Sequence, residues 1–376
     1  MNSSVAIERV ETRRQKREFL YYPFAKYRDD PLWAPPFMLS ESHRLDPAHN
    51  PFFRNAEIAF LLARTAQGTV CGRIAVFVDA VHNKTHNENT AMFGLFEAAD
   101  AAAARQLLSA AEGWAKSHSA QQLRGPISLT MEEGVGFKLD SFHIPAYVMM
   151  PYNGPDYPQW MQESDYQIIK QLYAWSYYGE PQGRRRMRSI SERIFKRLGD
   201  RVSMRQVNLL RFSRDMNIVF SLYNQAWQEN WGARPKSKQE YMFVAADLRL
   251  VLDTRFTAII EIDGQPVAAM VCIPDGNQLT KKMNGHILPF GWWHFLRKST
   301  IIKRMRMAIM GVLPEWRGKG LEAALIWHSM QAFDQSDYEG AECSWVLEDN
   351  QLANQVIAGA GGDIYQRYGL YQKKLG

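Results

Sequence analysis

The feature that most limits how this chain can fold is an internal repeat with a spacing of 196 positions. Residues 60–79 and 256–275 each read as two apolar strands joined by a tight turn, and Asp-Gly in the second turn is typical of hairpins. Three pairs of identical residues keep this spacing: Phe60 and Phe256, Gly68 and Gly264, and Asp79 and Asp275. Two unrelated hairpins could also match by chance, so the segments after the hairpins decide between duplication and coincidence.

The segments after each hairpin come in the same order in both halves. Each half continues with a strand, a helix and a second strand, at 92–96, 98–117 and 123–129 and again at 307–313, 320–333 and 343–347. Each half then closes with a helix and an aromatic strand, and this common order favours duplication over chance. We therefore expect an α/β fold with mixed sheets in two similar domains, 1–180 and 202–376, joined by a basic connector at 181–201.

The connector is rich in turn-forming residues and contains an arginine cluster at 184–188. Such a run is typical of an exposed, solvated segment. Contact between these arginines and phosphate groups is the alternative interpretation.

Charge and cysteine content restrict the partners and the compartment. The net charge is +6 and the isoelectric point about 9.1, which suits nucleic acid, a membrane surface or a phosphate-rich cofactor. The three cysteines are far apart, so we expect neither a disulfide framework nor a metal site. We find no apolar run typical of a signal peptide or a membrane span, and therefore expect a cytoplasmic protein.

The most informative stretch follows the strand at 307–313. Pro314 ends the strand, and Arg317-Gly-Lys-Gly320 then opens a helix. Glycines let the backbone approach a ligand closely, and the amide groups at a helix start attract phosphate. This arrangement predicts an anion site, although an exposed basic turn before a helix would look similar.

These residues resemble the acyl-CoA loop of the GCN5-related N-acetyltransferase superfamily, and the duplicated plan resembles a tandem member. The resemblance implies that Gly311, Val312 and Leu313 contact the pantetheine arm and the thioester carbonyl of acyl-CoA. It further implies that Asn350 helps to hold the cofactor arm, although a helix N-cap is an equal alternative for this residue. The residues expected to hold the pyrophosphate are Arg317, Gly318, Lys319, Gly320 and Leu321.

Two positions depart from the family pattern. Glu322 stands where Gly or Ala is usual, so its side chain should point away from the pyrophosphate. No tyrosine stands near 357–358, where the family often has its general acid. In the first half, Glu97 and Asp100 occupy the loop region and would repel phosphate, so we expect only the second half to bind CoA.

Five further motifs, spread over nearly the whole chain, resemble the bacterial ceramide synthase-like group of this superfamily: those at 30–36, 93–97, 149–153, 223–232 and 344–350. The resemblance implies an N-acyltransferase that moves a fatty acyl chain from CoA to the amine of a sphingoid-like long-chain base. The alternatives are an acetyltransferase for a small soluble amine and a non-catalytic sensor of acyl-CoA or lipid. No nucleic-acid partner is implied, and the oligomeric state stays open.

An alkyl ammonium has a pKa of about 10, so the acceptor is protonated near neutral pH. Because only the neutral amine can attack a thioester, the reaction requires a proton acceptor. Glu348, at the carboxyl end of the strand at 343–347, is our candidate general base, and a surface or capping carboxylate is the alternative. Asp349 and Asp275 are weaker candidates for the base, and Tyr365 and Tyr371 for an acid.

Aromatic residues suggest where a lipid acceptor binds. Trp227 and Trp231 are expected to wall the acceptor site, although an aromatic helix face usually belongs to a core. Trp292 and Trp293 stand beside several lysines and arginines, which suits contact with the inner face of a membrane. The alternative for this second pair is a core-packing helix with a solvated basic end.

Overall fold

The computed structural model describes residues 5–178, 180–227 and 230–376. The chain forms two compact units, one of Met1–Leu172 with Gln366–Gly376 and the other of Tyr173–Tyr365. The last strand therefore belongs mainly to the first unit, although it follows the second unit in sequence. None of the described helices is long and apolar enough to cross a membrane.

The strands are numbered along the chain. They are β1 (Ala6–Arg9), β2 (Ala56–Arg64), β3 (Val70–Asp79), β4 (Thr90–Ala98), β5 (Gln122–Gly125), β6 (Phe137–Lys138), β7 (Gln167–Tyr177), β8 (Val202–Arg205), β9 (Thr257–Ile262), β10 (Gln265–Pro274), β11 (Arg304–Val312), β12 (Gly340–Leu347) and β13 (Asp363–Lys374).

The α-helices are numbered in the same way. They are α1 (Arg13–Lys26), α2 (Met38–Arg44), α3 (Ala80–His86), α4 (Ala101–Ser117), α5 (Asp156–Glu163), α6 (Pro181–Leu198), α7 (Phe212–Trp227), α8 (Lys238–Leu248), α9 (Gly276–Lys282), α10 (Gly291–Leu296), α11 (Lys298–Ile301), α12 (Leu321–Asp334) and α13 (Gln351–Gly359).

The first unit builds its sheet in the strand order β1–β2–β3–β4–β5. β2 and β3 form the expected antiparallel hairpin, with Gly68 in the left-handed region (φ +81°) at its turn. β4 and β5 are parallel, as expected for strands joined by a helix, and α4 packs its alanine- and leucine-rich face on the sheet. The C-terminal end of β13 pairs antiparallel with β5.

The second unit repeats this arrangement in the strand order β12–β11–β10–β9–β8. Gly264 (φ +74°) makes the turn between β9 and β10, and β11 runs parallel to β12 after α12. β10 is buried along nearly its whole length because α7 and α12 both contact it, which explains its unbroken apolar sequence. The two repeats predicted from the sequence are therefore present.

The basic segment between the halves is a helix, α6, where a turn-rich stretch was expected. Pro181 stands in the first turn of this helix, where its missing N–H group is tolerated. Met187 and Ile194 are buried on one face, and α6 packs against α12. Gly183 permits close packing, because a Cβ atom there would lie 1.9 Å from the Ala360 carbonyl oxygen.

Candidate active site

β11 and β12 separate part-way along their length. Their parallel register runs from Arg304↔Gly340 to Met307↔Cys343, and no further pair is formed between them along the described strands. On its other edge, β11 stays paired with β10 as far as Val312, with one irregularity next to Ala308. The edge of β11 that faces β12 is thus left open from residue 308 onward.

A cleft of about 300 Å³ occupies this gap. Gly311 and Val312 line it from β11, Ser344 and Trp345 from β12, and Trp227 from the end of α7. A second hollow of about 320 Å³ adjoins the start of α12, and Glu322, Leu352 and Val356 line both spaces. A ligand with a linear arm and a charged head group can therefore reach from the strand gap to the glycine loop.

The predicted pantetheine contacts differ in what their backbones offer. The N–H group of Leu313 donates to Val267 O at 2.9 Å, so it is already paired with the neighbouring strand. Because backbone groups alternate along a strand, Val312 faces the open edge and Gly311 faces β10. Gly311 permits the close approach of α7, since a Cβ atom there would lie 3.3 Å from Ala226 Cβ and 3.7 Å from Trp227 Nε1.

The glycine loop has the backbone that the sequence predicts. Gly318 (φ +68°) and Gly320 (φ +99°) are in the left-handed region, and Gly320 begins α12 without a side-chain cap. Both glycines and Lys319 line the second hollow, together with Arg186 from the arginine cluster of α6. Leu321 is fully buried in the core and anchors the first turn of α12.

The two cations of the loop are placed differently. The guanidinium of Arg317 donates to Val312 O at 3.3 Å and also to Ala226 O, in the last turn of α7. It therefore stabilises the carboxyl end of that helix, where positive charge is favourable. The ammonium of Lys319 lies over the Trp316 ring, 4.8 Å from its centre, and the residue is exposed.

The expectation that the Glu322 side chain points away from the phosphate loop is wrong. Its carboxylate accepts a hydrogen bond from Gly318 N–H at 3.1 Å. Glu322 stands in the first turn of α12, and negative charge is stabilised at this end of a helix. In this structure an internal carboxylate thus occupies one of the amide groups that the loop would offer to an anion.

Asn350 begins α13 as its N-cap, with its side chain accepting from Ala353 N–H at 3.2 Å, and it also lines the cleft. The cap that was weighed as an alternative is therefore present. Glu348 is half-buried at the end of β12. Among the described residues that line the cleft are its neighbours Leu347 and Asn350 but not Glu348 itself, whose catalytic role stays a prediction.

A different carboxylate lies beneath the cleft, and the sequence reasoning missed it. Glu342 of β12 is fully buried and accepts hydrogen bonds from the Ser344 and Tyr365 hydroxyl groups. The Arg306 guanidinium donates to Ser344 Oγ at 2.8 Å and lies 3.8 Å from Glu342. Burial raises the pKa of Glu342, although Arg306 and the two hydroxyl groups oppose the rise.

Two of the weaker candidates have structural roles. Asp275 is fully buried, begins α9 as its N-cap and pairs with Arg304 at 2.6 Å. Tyr371 is buried in the first unit, where burial raises its pKa to about 12. Tyr365 is half-buried, and its hydroxyl group is the one that bonds Glu342.

Comparisons with known proteins identify the family. No family model matches the chain. Protein YghO of Escherichia coli (strain K12) is 30% identical over 370 residues, covering 96% of this chain and 93% of that protein. The bacterial ceramide synthase of Caulobacter vibrioides (strain NA1000 / CB15N) is 30% identical over 387 residues, covering 100% of this chain and 98% of that protein.

The chain belongs to the bacterial ceramide synthase-like family. It is therefore an N-acyltransferase. A solved tandem GNAT protein from the clavulanic acid biosynthesis pathway has the same fold, with a TM-score of 0.59 at 13% identity over 99% of both chains. The predicted family and the predicted tandem α/β fold are confirmed.

The first unit of this ceramide synthase-like protein has no comparable gap at the corresponding place among its described residues. β4 and β5 also stop pairing, after Met92↔Arg124, but the chain beyond β5 returns and Ile127 N–H donates to Phe93 O at 2.7 Å. A Cβ atom at Gly94 would lie 1.9 Å from Ile127 O, so the residues after β5 cover the edge of β4. Asp100 caps α4, which puts a carboxylate where the second unit has its loop.

The four tryptophans proposed to contact a lipid differ in exposure and in their position relative to the cleft. Trp227 lines the cleft, stacks on Tyr223 with ring centres 5.0 Å apart and meets the edge of Trp345. Trp231 is half-buried and is not among the described residues that line the cleft. Trp292 and Trp293 are 48% and 52% exposed, so the core-packing alternative for α10 is wrong.

Proposed function

We propose that this protein transfers a fatty acyl group from acyl-CoA to the primary amine of a sphingoid-like long-chain base. The observation that carries the proposal is the open edge of β11 leading to the glycine loop of α12. The similarity to a protein named bacterial ceramide synthase supports the class of acceptor. The two domains that we propose, 1–180 and 202–376, would then differ in role, with acyl-CoA bound by the second.

The proposed position of acyl-CoA is derived from the groups along the gap. The pantetheine arm pairs with the open edge at Val312 through the Val312 N–H group, because the Val312 carbonyl already accepts from Arg317; Gly311 lines the same cleft. The backbone N–H groups of 318–321 and the Lys319 ammonium hold the pyrophosphate, and Arg186 lines the same hollow. Asn350 lines the cleft beside the arm. Arg317 shapes the loop, because its guanidinium is bonded to carbonyl groups of α7 and β11 and its backbone N–H group donates to Pro314 O at 3.3 Å.

The acceptor ammonium first loses one proton to solvent, because only the neutral amine attacks, and the chemistry then requires one further proton to be moved. The neutral amine nitrogen bonds to the thioester carbon, and the proton lost by nitrogen passes through the Ser344 hydroxyl to Glu342. When the carbon–sulfur bond breaks, the same proton returns along this path to the CoA sulfur, which gives an amide and a free thiol. A base with a raised pKa suits this exchange, because it holds a proton more readily than an ordinary carboxylate and can still return it.

Glu348 is the second candidate for the base, and substitution separates the two. Glu342→Gln removes one negative charge from inside β12, and Glu348→Gln removes one negative charge from the residue that follows this strand. If Glu348 is the base, its variant loses turnover over the whole pH range while Glu342→Gln keeps it. Unchanged turnover in Glu348→Gln at every pH removes Glu348 from the mechanism.

The reaction is tested by offering two donors and two acceptors. The protein is incubated with acetyl-CoA or palmitoyl-CoA and with sphinganine or spermidine, and free thiol and product mass are measured. We expect thiol release and a new amide with palmitoyl-CoA and sphinganine. Release with acetyl-CoA and spermidine only would replace the proposal with an acetyltransferase of small amines.

We further propose that α10 brings the protein to an anionic membrane surface, from which the long-chain base is taken. Phe290 and Leu296 are 78% and 69% exposed, next to the half-exposed Trp292 and Trp293. Arg297 and Lys298 come directly after them in sequence. Amphipathic rings with adjacent cations are typical of residues at a bilayer interface.

A further inference from the structure

A small cavity lies behind the paired part of β11 and β12, just before the two strands separate, on the side where α12 packs. Its volume is about 40 Å³, and it is lined by apolar and sulfur-containing side chains, among them Met305, Ile326, Met330, Phe333 and Cys343. None of the described residues that line it carries a charge at neutral pH, because burial raises the pKa of the Cys343 thiol to about 12. This chemistry excludes the CoA head group and suits a hydrocarbon.

The cavity borders the cleft directly. Met307, Cys343 and Ile357 line both spaces. The Cys343 thiol contacts the Met307 sulfur at 4.0 Å across the last pair of the β11–β12 register. Two unbranched sulfur-containing side chains therefore form the boundary at the point where the strands part, next to Ser344, through which the proposed proton transfer passes.

We propose that this cavity receives the acyl chain of a fatty acyl-CoA, a site that rests on the proposed function. A chain attached to a carbonyl between β11 and β12 must continue either into solvent or past Met307 and Cys343 into this apolar space. The free volume holds about three groups the size of a water molecule. A longer chain enters by displacing Met305 and Met330, whose thioether side chains adapt readily to a new occupant.

Two substitutions change the cavity in opposite directions. Ala341→Val adds two methyl groups to a lining residue of β12, and a β-branched residue suits a strand. Met330→Ala removes most of a lining side chain of α12. Met283→Ala is the matched control, because Met283 is also buried but is not among the described residues that line the cleft or the cavity.

The measured quantity is the ratio of binding constants for dodecanoyl-CoA and acetyl-CoA, obtained by titration calorimetry on the full-length protein. We expect Ala341→Val to lower this ratio about tenfold, the usual effect of one or two excluded methylene groups in an apolar site. The Ala341→Val/Met330→Ala double variant should recover part of the loss, and Met283→Ala should keep the wild-type ratio. Melting temperatures verify that each variant is folded.

A ratio that is the same in Ala341→Val and wild type would overturn the cavity as the chain site, whatever the turnover. Failure of the proposed function has a different signature. In that case the ratio responds to Ala341→Val as expected, but no thiol is released from either donor in the presence of sphinganine.

Discussion

Replacing Glu322 with Gln should strengthen the binding of coenzyme A. The Glu322 carboxylate holds Gly318 N–H at 3.1 Å, and this amide belongs to the loop proposed to bind pyrophosphate. The diphosphate must therefore displace a side chain of the same charge sign. Glutamine keeps the shape and one acceptor oxygen, so the substitution removes the charge with little change in packing.

The magnitude combines two contributions. A hydrogen bond to a charged acceptor contributes about 1.5–3 kcal/mol when it is shielded from water, and about half of that is retained at the exposed Gly318. Repulsion between a carboxylate and a phosphate about 5 Å away adds roughly 0.8 kcal/mol in water. Since glutamine keeps a weaker bond to Gly318, a net gain of about 1.4 kcal/mol remains, which is about a tenfold lower dissociation constant.

The assay is calorimetric titration with CoA at low and high salt. Glu315→Gln is the control, because it removes the same charge from an exposed position shortly before the loop. The gain in Glu322→Gln should shrink at high salt as the repulsion is screened. Equal or weaker CoA binding in Glu322→Gln than in Glu315→Gln, at low salt, would refute the reasoning.

Three further predictions concern the base, the membrane face and the packing of α6. Glu342→Gln should lower kcat by about a hundredfold or more. Turnover should fall as the pH drops through the raised pKa of Glu342, which is set by burial against Arg306, Asp275, Ser344 and Tyr365. Because the Tyr365 hydroxyl lowers that pKa, Tyr365→Phe should move this fall to higher pH; a fall at the same pH would contradict the assignment. The Trp292→Ala/Trp293→Ala double variant should float less with vesicles containing phosphatidylglycerol than the wild type does. The control variant Leu39→Ala changes an exposed apolar residue of the first unit and should float like the wild type. Equal flotation of the two variants would rule out α10 as the membrane face. Gly183→Ala should lower the free energy of unfolding, measured by urea titration, by about 1–3 kcal/mol, because the added Cβ atom would meet the Ala360 backbone. Gly113→Ala in α4 has open space around it and should raise the free energy of unfolding by about 1 kcal/mol. Similar changes in the two variants would contradict the packing of α6.

Much of the fold could be predicted because its signals are local. Turn glycines at 68 and 264, apolar strands of similar length and a helix after each third strand are all visible in short windows of sequence. The loop of 317–320 was found for the same reason, since positive φ angles at Gly318 and Gly320 require glycine whatever surrounds them. α6 was missed because its many arginines obscure a buried face that only α12 completes.

The position of the candidate base Glu342 could not be predicted from the sequence. The sequence favours Glu348 because it follows the last apolar residue of its strand. It does not single out Glu342, because the role of a carboxylate inside an apolar strand depends on neighbours that only the fold brings to it. Its only sequence signal was its own charge, together with Arg304 and Arg306 alternating with methionine on another strand.

Short patterns in the amino-acid sequence are enough for the duplicated α/β plan, the glycine loop and the family. The folded structure is needed to locate the point where β11 leaves β12 and the carboxylate under the gap. β11 and β12 are joined through α12 and not by a tight turn, and their contacting residues, such as Met307 and Cys343, are 36 positions apart, so no turn geometry fixes their register in advance. The Glu322–Gly318 bond spans only four positions, but the preference for a carboxylate at a helix start does not fix which way its side chain turns.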